Sequence, residues 1–430
     1  NGIDLAGEGG LVWISTRNNA GGGEKVLVDT ERGATKRLRS YSTDSEATDS
    51  TGLTSFNSNG FTLGNDSGYN YSTGDYVSWT FRKAPKFFDV VTYTGDGTTS
   101  RTIAHNLDSV PGSIIVKRTD SASNWAVYHR SIGATKALIL HGTNAQFSSD
   151  WFGVTPTSSN FYLSDSDGAV NASGGTYVAY LFAHNNNDGD FGEDADQDII
   201  KCGSYAGSAS DVSVNLGFEP QFVITKNISS ASNWLMMDTM RGMPHGDGAT
   251  LAADSSAAEN GVFGGDNLIN PTANGFIAKS GKTASNTNGD NHIYIAIRRG
   301  PMKTPTLGTE VFSANFSDGV EPIFSSGFPV DLGIYAGRSN AFKHYFYDRL
   351  RGSNPSLNST NTSAEQNNGE GSFDNMDGWG VGIGSSTDYV SWSFRRAPGF
   401  FDVVTYSGTG SAHSEAHNLG VAPEMMIIKQ

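Results

Sequence analysis

The feature that most constrains this chain is that it repeats itself. Residues 75–97, DYVSWTFRKAPKFFDVVTYTGDG, return as residues 388–410, DYVSWSFRRAPGFFDVVTYSGTG, with 18 of 23 positions identical and an offset of 313 (388 − 75). A chain that copies itself in this way is assembled from one supersecondary unit used several times, and only folds that can be tiled remain open to it.

Weaker copies lie between these two, and four landmarks recur in fixed order. An opening strand is expected at 88–93, 199–205, 310–316 and 401–406. A second strand follows a Leu-x-x-x-Pro or similar turn, at 114–117, 222–226 and 425–429. A third strand runs into an Arg-Gly corner, as at Asp29 with Arg32-Gly33, Asp238 with Arg241-Gly242 and Asp348 with Arg351-Gly352. A closing strand ends each unit, at 76–81, 177–182, 293–297 and 389–394. Alternation such as Tyr-Val-Ser-Trp-Thr-Phe marks a half-buried strand, and 53 glycines with abundant Ser, Thr, Asn and Asp place turns at short intervals. The expected fold is all-β: a tandem array of about four jelly-roll, concanavalin-like β-sandwich domains of roughly 100 residues each, too long for propeller blades.

The landmarks divide the chain into unit one (1–86, lacking its opening strand), unit two (87–187), an acidic linker (188–197), unit three (198–304), unit four (305–399) and the opening strands of a further unit (400–430). Three joints, Arg82-Lys83-Ala84-Pro85, Arg298-Arg299-Gly300-Pro301 and Arg395-Arg396-Ala397-Pro398, follow closing strands directly. Proline stops a ladder, and joints this short predict neighbours stacked as a stiff rod. The chain opens at the second strand of a unit, without a starting Met, and ends just after the matching strand. Either flanking residues lie outside it, or residues 400–430 complete unit one of a neighbouring molecule by strand donation.

Composition excludes several function classes. A net charge of −15 repels nucleic-acid phosphates, and no apolar stretch reaches the ~20 residues of a membrane helix. One cysteine, Cys202, allows no intrachain disulfide, so packing or oligomerisation must stabilise the units. Hydrophobic residues make up 37%, but 11% are aromatic, which suits folded domains with thin cores.

The closing Tyr-Val-Ala-Tyr-Leu-Phe-Ala (177–183) and the corner Arg-Gly-Ala-Thr-Lys (32–36) resemble segments that recur in tandem-repeat virion appendage proteins, tail-fibre-like proteins of tailed and especially marine phages. The resemblance implies a concanavalin-like sandwich and a structural role on the virion, with no catalytic residue to carry over. It also implies partners: copies of the chain itself, in a homo-oligomer or head-to-tail array, and other virion proteins.

Candidate sites are few. Asp188, Asp190, Asp194 and Asp196 alternate along the linker as calcium ligands do, although the EF-hand register fails because Gly does not fall at the sixth position; calcium is the one cofactor suggested, against the plainer reading of a solvated acidic linker. Trp125 and Trp234 occupy the same place in two copies of Ser-Ala-Ser-Asn-Trp, where an exposed ring could stack on a host surface glycan and a buried one would pack beneath its loop. The Arg-Gly corners read as structural, with Asp238 able to pair with Arg241 across the turn. Scattered histidines and one cysteine offer no zinc site, and acidic pairs are too many for the sequence to choose a glycosidase dyad. The expected function is a phage virion structural protein, a stiff fibre or appendage with a part in host attachment, and not an enzyme. A bacterial surface adhesin or lectin is the alternative, and a polysaccharide depolymerase the second.

Overall fold

A computed structural model describes residues 2–429 except 244–248, 262–266, 340, 341, 354, 368–370, 384, 385 and 407; positions 1 and 430, the outer bounds of the first and last segments, lie outside it. The chain is an array of antiparallel β-sandwiches. In unit two the main sheet runs, in spatial order, from the opening strand Phe88–Thr94 through the closing strand Thr176–Phe182, the second strand Ser113–Arg118 and the third strand Trp125–His129 to Lys136–Ile139 and Phe147–Ser148. Unit three repeats the order with Ile200–Ala206, Asn291–Arg298, Pro220–Asn227, Leu235–Asp238 and Leu251–Ala252. Unit four repeats it with Phe312–Phe316, Tyr389–Phe394, Leu332–Gly337, Tyr345–Asp348, Pro355–Asn358 and Gln366–Asn367. Unit one has Tyr76–Arg82, Gly10–Thr16, Lys25–Asp29, Lys36–Arg39 and Ala47–Thr48, with no described strand in the opening place.

Ladder register makes the units superimposable position by position. Leu11, Ser113, Phe222 and Leu332 each pair with the last residue of the third strand: Asp29, His129, Asp238 and Asp348. The same four pair on their other side with Phe81, Phe182, Ile297 and Phe394 of the closing strands. Two residues earlier in the closing strands stand Trp79, Tyr180, Ile295 and Trp392, which are therefore equivalent.

Each main sheet lays one face on a smaller sheet of its own unit. In unit one Val12, Ile14, Val26 and Val28 meet Leu53 and Tyr69; in unit three Val223, Leu235 and Ala296 meet Leu216 and Phe276. Unit four centres on Trp379, packed among Phe324, Tyr335 and Phe373. The opposite face is also apolar, because alternation sends Leu11, Trp13, Leu27, Trp79 and Phe81 to that side. In units one to three this second face is buried too, and all three contribute to one continuous core that includes Trp79, Phe81, Phe88, Tyr180, Phe182, Phe222, Ile224 and Ile295.

The expected stiff rod is therefore corrected. Units one, two and three do not stack end to end; they sit side by side around a shared core. The joint shows why. Ala84 and Phe88 bridge across a tight turn that folds the chain back, bringing the Phe88 ring 5.4 Å from Phe81 at the end of the preceding unit. With two apolar faces per sheet, a rod would leave one face in water at a cost of about 25 cal/mol per Å². The opening strands expected at 401–406 and 425–429 are likewise not formed. Ala397 and Phe401 repeat the bridge of the first joint, but no described residue beyond Phe401 is in a strand, and Met425, Met426, Ile427 and Ile428 are exposed. In unit two the equivalent opening strand is held by its own closing strand, Thr176–Phe182, and residues 400–430 include no such partner.

Candidate assembly interface

Three Arg-Gly corners are built alike. The third strand ends in an aspartate, the chain turns, and an arginine three residues on folds back to it: Arg32 Nε to Asp29 at 2.6 Å, Arg241 to Asp238 at 2.7 Å, Arg351 to Asp348 at 2.5 Å. The same aspartate accepts the arginine's backbone N–H at 2.9 Å in each case. A glutamate completes each corner on Nη1: Glu46 at 3.2 Å, Glu259 at 3.0 Å and Glu365 at 3.0 Å. The glycine that follows is needed for its backbone and not for space, since φ is +96° at Gly33 and no atom lies within 4 Å of where its Cβ would be.

Two of these corners receive a side chain from another unit. Tyr180 of unit two donates its hydroxyl to Asp29 at 2.8 Å and lies 3.2 Å from Arg32 Nη2. Trp79 of unit one donates its indole N–H to Asp238 of unit three at 3.0 Å, with the Arg241 guanidinium 5.4 Å over its ring. Burial is severe, with Asp29 and Tyr180 both at 0% exposure. Burial opposes the charge on Arg32, but Asp29, Tyr180 and Glu46 outweigh it, and burial pushes the Tyr180 hydroxyl well above its ordinary range. A buried charge set is tolerable only when its members satisfy one another, as these do. Unit two carries His129 and Ile132 where the others carry Asp and Arg, and there the contact is neutral: His129 Nε2 meets the Tyr294 carbonyl of unit three at 3.1 Å, beside Ile295.

The contacts therefore close a cycle: the corner of unit one holds the closing strand of unit two, the corner of unit two that of unit three, and the corner of unit three that of unit one. Each interface repeats other bonds in the same sense. Backbone amides of Glu46, Gln146 and Glu259 donate to the carbonyls of Thr119, Ile228 and Arg17 at 2.8, 3.1 and 2.6 Å. Each interface also has one lysine reaching a carbonyl across it: Lys117 to Thr43, Lys226 to Thr143 and Lys25 to Ala257, at 2.9, 3.0 and 2.9 Å. Burial pushes all three amines down to about 8.

Trp125 and Trp234 belong to this interface, which corrects the glycan-stacking expectation for them. They are 0% and 3% exposed, so no ring face is open to a sugar. The Trp125 indole donates to the Arg39 and Ser42 carbonyls of unit one at 3.1 and 3.0 Å, and Trp234 to the Ile139 carbonyl of unit two at 2.9 Å. Lys25 holds the equivalent place in unit one, four residues before Asp29. Sequence reading missed Trp79, Tyr180 and Lys25 as contact residues; the available signal was the unbroken apolar run Tyr-Val-Ala-Tyr-Leu-Phe, too apolar for a strand with a wet face.

Unit four docks on unit three through a separate ionic network. Arg396 forms a two-pronged pair with Glu219, both bonds 2.7 Å, and also meets Asp402 at 2.5 Å. Arg299 reaches Asp331 at 2.6 Å, and Arg349 donates to the Thr239 and Met240 carbonyls.

The structure does not gather Asp188, Asp190, Asp194 and Asp196. Asp190 pairs with Lys86 at 2.8 Å, Asp188 accepts from the Asn186 amide at 2.7 Å, and among the described residues no group of three or more His, Cys, Asp or Glu is placed to hold a metal ion. The linker is organised instead by Asp198, which accepts the Asn187 and Gly189 amides; those bonds and Lys201 keep its carboxyl below its ordinary range despite burial. No described helix is long and apolar enough to cross a membrane. Comparison with curated proteins and with solved structures gives no match. Residues 3–301 and 308–430 match the model of one family, and on that coverage the chain belongs to the family described as Domain of unknown function (DUF7483).

Proposed function

We propose that this chain is a structural protein of a phage virion appendage, assembled from repeats and serving in host attachment. The observation that carries the reading is the cyclic set of contacts among units one to three. Aromatic, ionic and tryptophan positions that recur in the sequence are turned toward other repeats of the same chain, which is the economy of a scaffold. The two segments that resemble virion appendage proteins meet at one of these interfaces, with Arg32 of the first corner on Tyr180 of the second closing strand. Neither the adhesin nor the depolymerase reading gains an observation of this kind. Immunogold electron microscopy with antibody to the chain is the test: label on tails or other appendages of purified phage particles is expected. Label on bacterial envelopes free of phage, and none on virions, would overturn the proposal.

A further inference from the structure

Unit four carries the same interface as units one to three, and in this chain it is unoccupied. Its outer sheet face consists of Leu332, Ile334, Phe346, Leu357, Trp392 and Phe394, all of them partly exposed. The equivalent positions in unit one, Leu11, Trp13, Leu27, Leu38, Trp79 and Phe81, are at most 8% exposed, covered by units two and three. The corner is open to the same degree. Asp348, Arg351 and Glu365 make the bonds that their counterparts make, but no described residue donates to Asp348 from another unit. The Arg351 and Glu365 side chains are 13% and 43% exposed, against 4% and 20% for Arg32 and Glu46, and 2% and 12% for Arg241 and Glu259. Trp392 lies in Tyr-Val-Ser-Trp-Ser-Phe, almost the sequence that delivers Trp79 into the corner of unit three.

We infer that unit four is a self-association surface: Trp392 of one copy enters the Asp348–Arg351–Glu365 corner of a second copy. Donor and acceptor chemistry match in both directions. An indole N–H is what the aspartate of such a corner takes from Trp79, and a guanidinium over the indole ring adds cation–π attraction. A charged corner surrounded by an apolar face discriminates against a purely apolar partner, because a buried carboxylate left without a donor is costly. Plug and socket are different patches on one unit, so the contact is heterologous and each copy retains one free plug and one free socket until the arrangement closes or extends. The inference rests on the geometry of unit four and stands whether or not the protein belongs to a virion.

Complementation tests it. Sedimentation velocity over a concentration series should show wild-type protein growing beyond the monomer. Trp392→Phe keeps the ring but removes the donor, and Arg351→Gln disarms the corner; each should remain monomeric, with an unchanged melting temperature showing that it is folded. Mixed together they should form a 1:1 complex and stop, since one copy supplies only a socket and the other only a plug. Glu365→Arg, at an exposed rim position, is a second socket variant whose folding is not in question. Wild-type protein that stays monomeric throughout, or variants that associate as wild type does, would overturn the inference.

Discussion

Replacing Trp125 measures how much one interface contributes. The ring is fully buried, stacks on Tyr180 with centroids 6.5 Å apart, and donates to two carbonyls of unit one. Trp125→Phe keeps most of the packing but leaves the Arg39 and Ser42 carbonyls without their donor, at a cost of about 1–3 kcal/mol. Trp125→Ala adds the lost transfer energy and a cavity, bringing the loss to about 3–5 kcal/mol. Urea unfolding followed by circular dichroism gives both values, and limited proteolysis should show the 39–46 segment of unit one cut faster although the substitution lies in unit two. An exposed tryptophan would behave differently, since surface substitutions usually stay within ~0.5 kcal/mol. If Trp125→Ala unfolds at the wild-type midpoint while losing affinity for a host glycan, the interface assignment is wrong.

Three further outcomes follow from the same geometry. Burial, with Arg130 and His184 adding to it, lowers His129 to about 4 from the 6.5 of an exposed ring, so the stability that neutral His129 contributes is complete above pH 6.5 and is lost as the pH falls toward 4. That difference corresponds to about 3 kcal/mol, and His129→Asn should flatten the pH dependence of the urea midpoint between 6.5 and 4; equal slopes in both proteins would assign the acid sensitivity elsewhere. Removing one member of the Glu219–Arg396 pair should cost about 3–5 kcal/mol and loosen unit four, while Glu219→Gln with Arg396→Met should cost much less than the sum; additive losses would show that the pair is not buried as a unit. Chelation of calcium should leave the melting temperature unchanged, because Asp190 is already paired with Lys86; a fall on adding chelator would reveal a site in the linker.

The all-β class was legible because its signals are local. Turn residues at short intervals, two-residue alternation and the repeated landmarks each report on a few neighbouring residues, and the opening and closing landmarks prove to be adjacent strands in units two, three and four. The pairing of Asp238 with Arg241 was legible for the same reason, being a contact across one turn. The cyclic arrangement was not. Tyr180 meets Asp29 from 151 residues away and Trp79 meets Asp238 from 159, and nothing in either strand states which face another unit will cover. Trp125 shows the ambiguity most clearly: an aromatic after a polar loop reads equally as a sugar platform or as a buried plug, and only the carbonyls of unit one decide between them. The joints misled because a Pro-containing linker of four residues was read as a straight spacer, whereas the bridge from Ala84 to Phe88 makes it a reversal.

The cyclic contacts also account for the feature that first marked the sequence, a near-identity that skips two units. If the units served only their own sandwiches, each would face the same constraints and all four would resemble one another equally. Instead each has a different neighbour to satisfy. The corner of unit one must accept a tyrosine hydroxyl, that of unit two lies against Ile295 and a backbone carbonyl, and that of unit three must accept an indole. An aspartate in place of His129 would be buried opposite Ile295 with no side-chain donor, so unit two cannot carry the corner of unit one without destabilising the set. Closing strands are bound by the same logic, since Trp79 has to reach a corner that Tyr180 never meets. Residues 388–410 match residues 75–97 because unit four presents the surface of unit one, with the same tryptophan on its closing strand and the same Asp–Arg–Glu corner beside it. An offset of three units is thus the period of the contacts, and the unit of about 100 residues is the period of the fold alone.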